Sequence, residues 1–252
     1  MDQPVHEFYW RILISILLIS LAIVIRRYLD INDRIDHNQE HQLEFAGVKQ
    51  FCYVTVGRKT TSEHHVLISG TGRAGTTFLV QLLTALKLDT GFDDPTSNIL
   101  PHCSAGMEIN IRRANAPYII KSPILADTLD KLLQTSHVFI DHVIIPMRDL
   151  YSAAESRRDV SRRVGGGPVD GGLWQNTKPE DVESILTLRV YTLLFALAKH
   201  NIPMTLLYFP RIVNDPEYLY NEIRFLFPNI GYKKFLRCFQ SVSRPELVHV
   251  FK

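Results

Sequence analysis

Four short apolar runs, each followed by a stretch with helical spacing, set the pattern of the chain from residue 66 onward. VLIS at 66–69 leads through the turn GTGRAG at 70–75 into an amphipathic helix that opens at Thr76 and runs to about residue 87. YIIK at 118–121 is the second run. Ser122-Pro123 follows as N-cap and first helical residue, and Ile124, Leu125, Leu129, Leu132 and Leu133 recur at helical spacing to about residue 134. HVIIPM at 142–147 is the third run, with Pro146 near its end, where a missing N–H is tolerated, and a helix follows over 150–163. A long helix over 180–199 stops at Asn201-Ile202-Pro203; TLLY at 205–208 is the fourth run, and residues 216–227 form a closing helix. Strands that alternate with helices in this way imply an α/β fold with a parallel sheet covered on both faces.

Between these elements lie two irregular stretches. Residues 88–117 are rich in turn formers, and long loops of this kind in compact domains tend to be functional. Residues 164–172, VGGGPVDGG, carry five glycines and read as a mobile loop. FCYVTV at 51–56 has the composition of a short strand. His64 and His65 read as a surface pair, because no partner stands at metal-ligand spacing. Asp141 reads as the end of a turn before the third strand; the alternative is an aspartate closing an apolar run, as in Mg²⁺-dependent nucleotide hydrolases.

The N-terminus departs from the globular pattern. Residues 12–25, ILISILLISLAIVI, form a run of 14 without a charge. A membrane-crossing helix needs about 20 residues, and Tyr9, Trp10 and Tyr28 as interfacial aromatics, with Arg11, Arg26 and Arg27 snorkelling, bring the run near that length. It reads as a single-pass membrane anchor in preference to a cleaved signal peptide or a buried core helix. Arg26 and Arg27 lean toward a cytosol-facing C-terminal domain and leave a Golgi-like, lumenal placement open. The expected organisation is an anchor with flanks over 1–29, a stem with a short strand over 30–62, and an α/β domain over 63–252.

Composition narrows the function classes. A net charge of +2 is too small for a nucleic-acid binder. Cys52, Cys103 and Cys238 are widely separated, which points neither to a zinc site nor to a disulfide framework. No metal is expected.

The turn at 70–75 carries the most specific chemistry. Gly70, Gly75 and Thr77 fit the phosphate-loop template G-x-x-x-x-G-K-[ST], while Thr76 stands at the lysine position. Backbone N–H groups at a helix N-terminus favour a bound phosphate. Without the lysine that meets the β- and γ-phosphates, triphosphate chemistry is disfavoured. What is left suits a single 5′-phosphate whose substituent is handled by Arg73. The fold implied is P-loop NTPase-like.

In GRAGTTFLVQL the chain resembles the sulfotransferase family, which moves a sulfuryl group from 3′-phosphoadenylyl sulfate to hydroxyls or amines, and most closely the R-S-G-S-S-F form of the carbohydrate sulfotransferases. That resemblance implies that Gly72, Arg73, Ala74, Gly75, Thr76 and Thr77 wrap the 5′-phosphosulfate, with Arg73 at the bridging oxygen. MRDLYSAAESRR resembles the family's 3′-phosphate motif, an arginine followed eight residues later by a serine; Arg148 and Ser156 have that spacing, and Leu150 replaces the usual proline. YIIKSP and LLYFPRIVNDPEYLYNEIRFLF are similar to the lysine-bearing strand and the closing region of these enzymes. The cytosolic members' histidine after the lysine strand does not transfer, since Pro123 and Ile124 follow Ser122. The resemblance implies Glu108 and His102, in the long loop after the first helix, as the candidates for the base, because carbohydrate-type members use a carboxylate from a comparable region, and Lys121 as a candidate contact to the sulfuryl group or acceptor.

Much of the run Arg157, Arg158, Arg162 and Arg163 lies along one helix flank and reads either as a surface for an anionic acceptor or as a solvated face. Trp174, after the glycine-rich loop, is a candidate stacking surface for a sugar. Two other readings stay open: a P-loop kinase or nucleotide hydrolase with an aberrant loop, and a non-catalytic membrane-tethered binding protein.

Overall fold

The computed structural model describes residues 64–135, 138–174, 177–249 and 251. The expected span at 12–25, the stem and the strand at 51–56 lie outside the described residues. Among the described residues no helix is long and apolar enough to cross a membrane.

Four parallel strands form the central sheet in the order β4-β1-β5-β6, where β1 is His64–Ile68, β4 Ile119–Lys121, β5 Phe139–Met147 and β6 Met204–Tyr208. Successive side chains of a strand face opposite ways, and here both faces are covered. Val66, Ile68, Ile144 and Leu207 pack on one side with helix α1 (Thr76–Ala85) and the C-terminal helices α5 (Arg211–Asn214), α6 (Pro216–Ile223) and α7 (Tyr232–Val242). Leu67, Ile120, Val143 and Ile145 pack on the other with α2 (Leu125–Thr135) and α4 (Val182–Lys199). Helix α3 (Leu150–Arg163) follows β5, opened by Asp149, whose side chain accepts from the Ser152 N–H at 2.8 Å.

The expected parallel α/β architecture is present, with several differences of detail. Strand β5 begins at Phe139, so Asp141 lies inside a strand and not at its preceding turn; its carboxylate oxygens bond His64 Nδ1 at 2.7 Å and the Tyr118 hydroxyl at 3.1 Å. His65 is not a surface residue. Strand alternation turns it inward to 2% exposure, where Nδ1 donates to the Pro117 carbonyl at 2.8 Å, and burial lowers its pKa. Pro146 is accommodated because the Ser69 N–H already meets the Ile144 carbonyl, so position 146 faces the same side as 144, beyond the end of β1. The closing helix stops at Ile223 and tightens into a 3₁₀ turn over Arg224–Leu226. Unanticipated elements include α5, α7 and a two-stranded antiparallel ribbon, β2 (Ile99–Leu100) with β3 (Ala105–Gly106), inside the long loop.

Candidate active site

All four strands point their carboxyl ends at one rim, and the turn after β1 lies there. Residues 70–75 reach helix α1 through four positive φ angles, +131° at Gly70, +67° at Gly72, +56° at Arg73 and +86° at Gly75. At Gly75 glycine is required twice over. Its φ disfavours a side chain, and a Cβ would stand 3.0 Å from both Ile212 and Phe209. Helix α1 has no side-chain cap and no acidic residue in its first turn, which leaves its leading N–H groups for an anion. Thr76 and Thr77 open it, both buried, and Ala74 is fully buried beneath the turn.

Arg73 is half-buried, and its side chain ties the turn to two other segments. Nε donates to Ser156 Oγ on α3 at 3.1 Å, and Nη1 donates to the Cys103 carbonyl at 2.6 Å. Arg148, at the end of β5, donates from Nη1 to the Arg73 carbonyl at 2.8 Å. Three residues proposed from two separate motifs therefore meet. Burial, with the charge of Arg73 beside it, pushes the Arg148 guanidinium down to about 10. The guanidinium also lies 5.1 Å from the Phe209 ring centroid and 6.0 Å from that of Phe251, and its Nη2 donates to the His249 carbonyl, so C-terminal residues cover its outer side.

A second cluster forms across the turn. Lys121, 2% exposed at the end of β4, donates from Nζ to Thr77 Oγ1 at 2.8 Å, to the Gly106 carbonyl at 2.6 Å and to Glu108 Oε1 at 2.7 Å. Burial lowers the lysine pKa, opposed by the Glu108 charge. A cation supplied by β4 thus sits at the helix start whose own lysine position is Thr76. The Glu108 side chain is 40% exposed, so its carboxylate reaches both the lysine and solvent.

His102 lies elsewhere. Its Nε2 meets the Asp170 carbonyl at 3.1 Å, in the glycine-rich segment. Trp174 is engaged by cations, with the guanidinium of Arg157 at 3.8 Å from its ring centroid and that of Arg189 at 4.0 Å, so it is not the free stacking surface expected for a sugar. The basic run divides between a buried side and an exposed side. Arg158 pairs with Glu155 and Glu183, Arg162 with Glu155, Arg163 with Asp159, and Arg157 is buried at 5% exposure. The spacing of Ala153, Ser156, Arg157, Val160 and Ser161 on one buried helical face carried the signal for that burial. Among the described residues no group of three or more His, Cys, Asp or Glu side chains is arranged to hold a metal ion.

No family model and no curated protein matches the sequence. Among solved structures the chain is similar to the sulfotransferase domain from the Synechococcus PCC 7002 olefin synthase, with a TM-score of 0.40 and 15% identity over 79% of this chain and 86% of that one. A superposition that loose does not bear on the donor or acceptor of this chain.

Proposed function

We propose that the chain is a sulfuryl-transfer enzyme that uses 3′-phosphoadenylyl sulfate as donor and a hydroxyl or amine, a carbohydrate among the candidates, as acceptor. The observation that carries this reading is the meeting of Arg73, Ser156 and Arg148 at one turn. A donor with a phosphosulfate at one end and a separate ribose phosphate needs two neighbouring anion sites, and the turn with Arg73 beside Arg148 and Ser156 has the chemistry of both.

In the proposed step the acceptor oxygen attacks sulfur and its proton passes to the Glu108 carboxylate. The bond from sulfur to the phosphate oxygen breaks, and adenosine 3′,5′-bisphosphate leaves. Arg73, Lys121 and the N–H groups at the start of α1 stabilise the negative charge that develops on the leaving phosphate. Glu108 is preferred to His102 as the base because its carboxylate contacts Lys121, which contacts Thr77. In triphosphate sites the hydroxyl at the Thr77 position holds Mg²⁺. Here an ammonium is bonded to that hydroxyl, which supports sulfuryl over magnesium-dependent phosphoryl chemistry.

The test is transfer of labelled sulfate from 3′-phosphoadenylyl sulfate to a panel of glycans, alcohols and amines. A labelled acceptor formed in step with adenosine 3′,5′-bisphosphate supports the reading. Turnover of ATP with Mg²⁺ in its place supports the kinase or hydrolase alternative, and donor binding without turnover on any acceptor supports a binding protein. In the same reading residues 12–25 anchor the enzyme in a membrane; release from membranes by alkaline carbonate would count against that part.

A further inference from the structure

Arg157 is a buried cation that the proposed reaction does not use. It is 5% exposed, and among the described residues no carboxylate pairs with it, although its neighbours Arg158, Arg162 and Arg163 all have acidic partners. A buried charge without a counter-ion is costly. Its Nη2 donates to the Thr71 carbonyl at 2.6 Å, its Nη1 to the Gly172 carbonyl at 2.9 Å, and its buried Nε has no partner. Gly72 makes the approach to the phosphate-binding turn feasible, since a Cβ there would lie 2.6 Å from Nη2. Burial, with Arg189 and Arg73 nearby, pushes the guanidinium down to about 9, which leaves it charged near neutral pH.

The other end of this bridge is the base of the glycine-rich segment. Gly165, Gly166 and Gly167 at its tip have positive φ and no atom within 4 Å of a would-be Cβ, so the tip is open. The base is held. The Leu173 N–H donates to Ser161 Oγ at 2.9 Å, and the Val169 N–H donates to the Leu173 carbonyl at 3.0 Å. A Cβ at Gly171 would lie 2.7 Å from Cys103 Sγ, and the Cys103 carbonyl in turn accepts from Arg73. Two routes therefore run from the turn to the glycine-rich segment, one through Arg157 and one through Arg73 and Cys103.

We propose that Arg157 is a positioning residue: a buried cation balanced by the anion bound in the turn, it couples that binding to the ordering of residues 164–173 by bridging the Thr71 and Gly172 carbonyls. The inference rests on the turn being an anion site, as in the proposed function, and does not depend on which anion it takes. With the turn empty, the guanidinium meets only the Trp174 ring face and the two carbonyls, none of which carries a full negative charge. An anion in the turn removes the like-charge strain with Arg73 and tightens both bonds.

The experiment is amide exchange on the full chain with and without adenosine 3′,5′-bisphosphate, and separately inorganic pyrophosphate, for the wild type, Arg157→Lys and Arg157→Met. Either anion should slow exchange over 164–173 in the wild type. Arg157→Met should lose that protection and bind about tenfold more weakly, within the usual range of site-to-site coupling. Arg157→Lys keeps the charge without the planar fork, so its affinity should hold within about threefold while the protection is lost; it carries the test if Arg157→Met does not fold. Protection of 164–173 equal to wild type in Arg157→Lys would overturn the inference, as would a wild type that binds neither anion. If pyrophosphate gives the coupling and the bisphosphate does not bind, the inference stands and the proposed donor falls.

Discussion

Arg73 Nε donates to Ser156 Oγ at 3.1 Å across 83 residues of sequence, joining the turn after β1 to the helix after β5. The bond fixes the direction of the one cationic side chain of the turn. It also keeps Arg73 at a φ of +56°, which a non-glycine residue rarely adopts. Tertiary contact, not local preference, sets the shape of this loop.

If Glu108 takes the acceptor proton, Glu108→Gln should lower kcat by about 10²- to 10⁴-fold, the usual worth of a positioned base. Its amide oxygen can still accept from Lys121, so calorimetry should find affinity for adenosine 3′,5′-bisphosphate little changed. His102→Asn should leave kcat near wild type, because that ring bonds the Asp170 carbonyl. The reverse pattern of rates would move the base to His102.

If Lys121 stabilises the leaving phosphate, it sets the alkaline limit. Burial lowers its pKa from the ordinary 10.5, and the charged form is the one that stabilises a leaving phosphate. The basic limb of kcat/KM should therefore fall below pH 10.5. Lys121→Arg should move it upward, since a guanidinium stays charged there. The sign for stability is opposite: the folded chain releases this proton before the unfolded chain does, so between the lowered value and 10.5 its contribution to stability rises with pH. Titration of Lys121 in that window therefore cannot lower activity by unfolding the chain.

Gly75→Ala should destabilise the fold even without ligand. A left-handed φ costs a side chain about 1–2 kcal/mol, and overpacking against Ile212 and Phe209 adds about 1–3 kcal/mol. Thermal melting should show a Tm lower by roughly 4–10 °C. An unchanged Tm would mean that Phe209 and Ile212 give way freely and do not fix the turn.

The central strands and the helices after them were legible because runs such as VLIS and YIIK are apolar without interruption, as strands buried on both faces must be. The start of β5 was not, because Asp141 breaks the apolar run and is satisfied by His64 of β1 and by Tyr118, just before β4. Helix α7 did carry a signal, with Phe235, Phe239 and Val242 at helical spacing. In the candidate site, Arg73, Arg148 and Ser156 belong to two short local motifs, so the candidates that meet there could be proposed from sequence. The grouping of Lys121, Thr77 and Glu108 needs three segments to converge, which no local pattern encodes. Four arginines on α3 look alike in sequence, yet only Arg157 falls on the face shared with Ala153 and Val160.

The most direct test of the donor is calorimetry with adenosine 3′,5′-bisphosphate and, separately, ATP with Mg²⁺. Arg148→Ala should lose about 10- to 100-fold in bisphosphate affinity, the worth of one to two charge-assisted hydrogen bonds. Ser156→Ala should also weaken binding, partly because it leaves Arg73 Nε without its acceptor. The account predicts binding of the bisphosphate in preference to ATP, weakened by both substitutions; preference for ATP with Mg²⁺, or bisphosphate binding indifferent to Arg148 and Ser156, would contradict it.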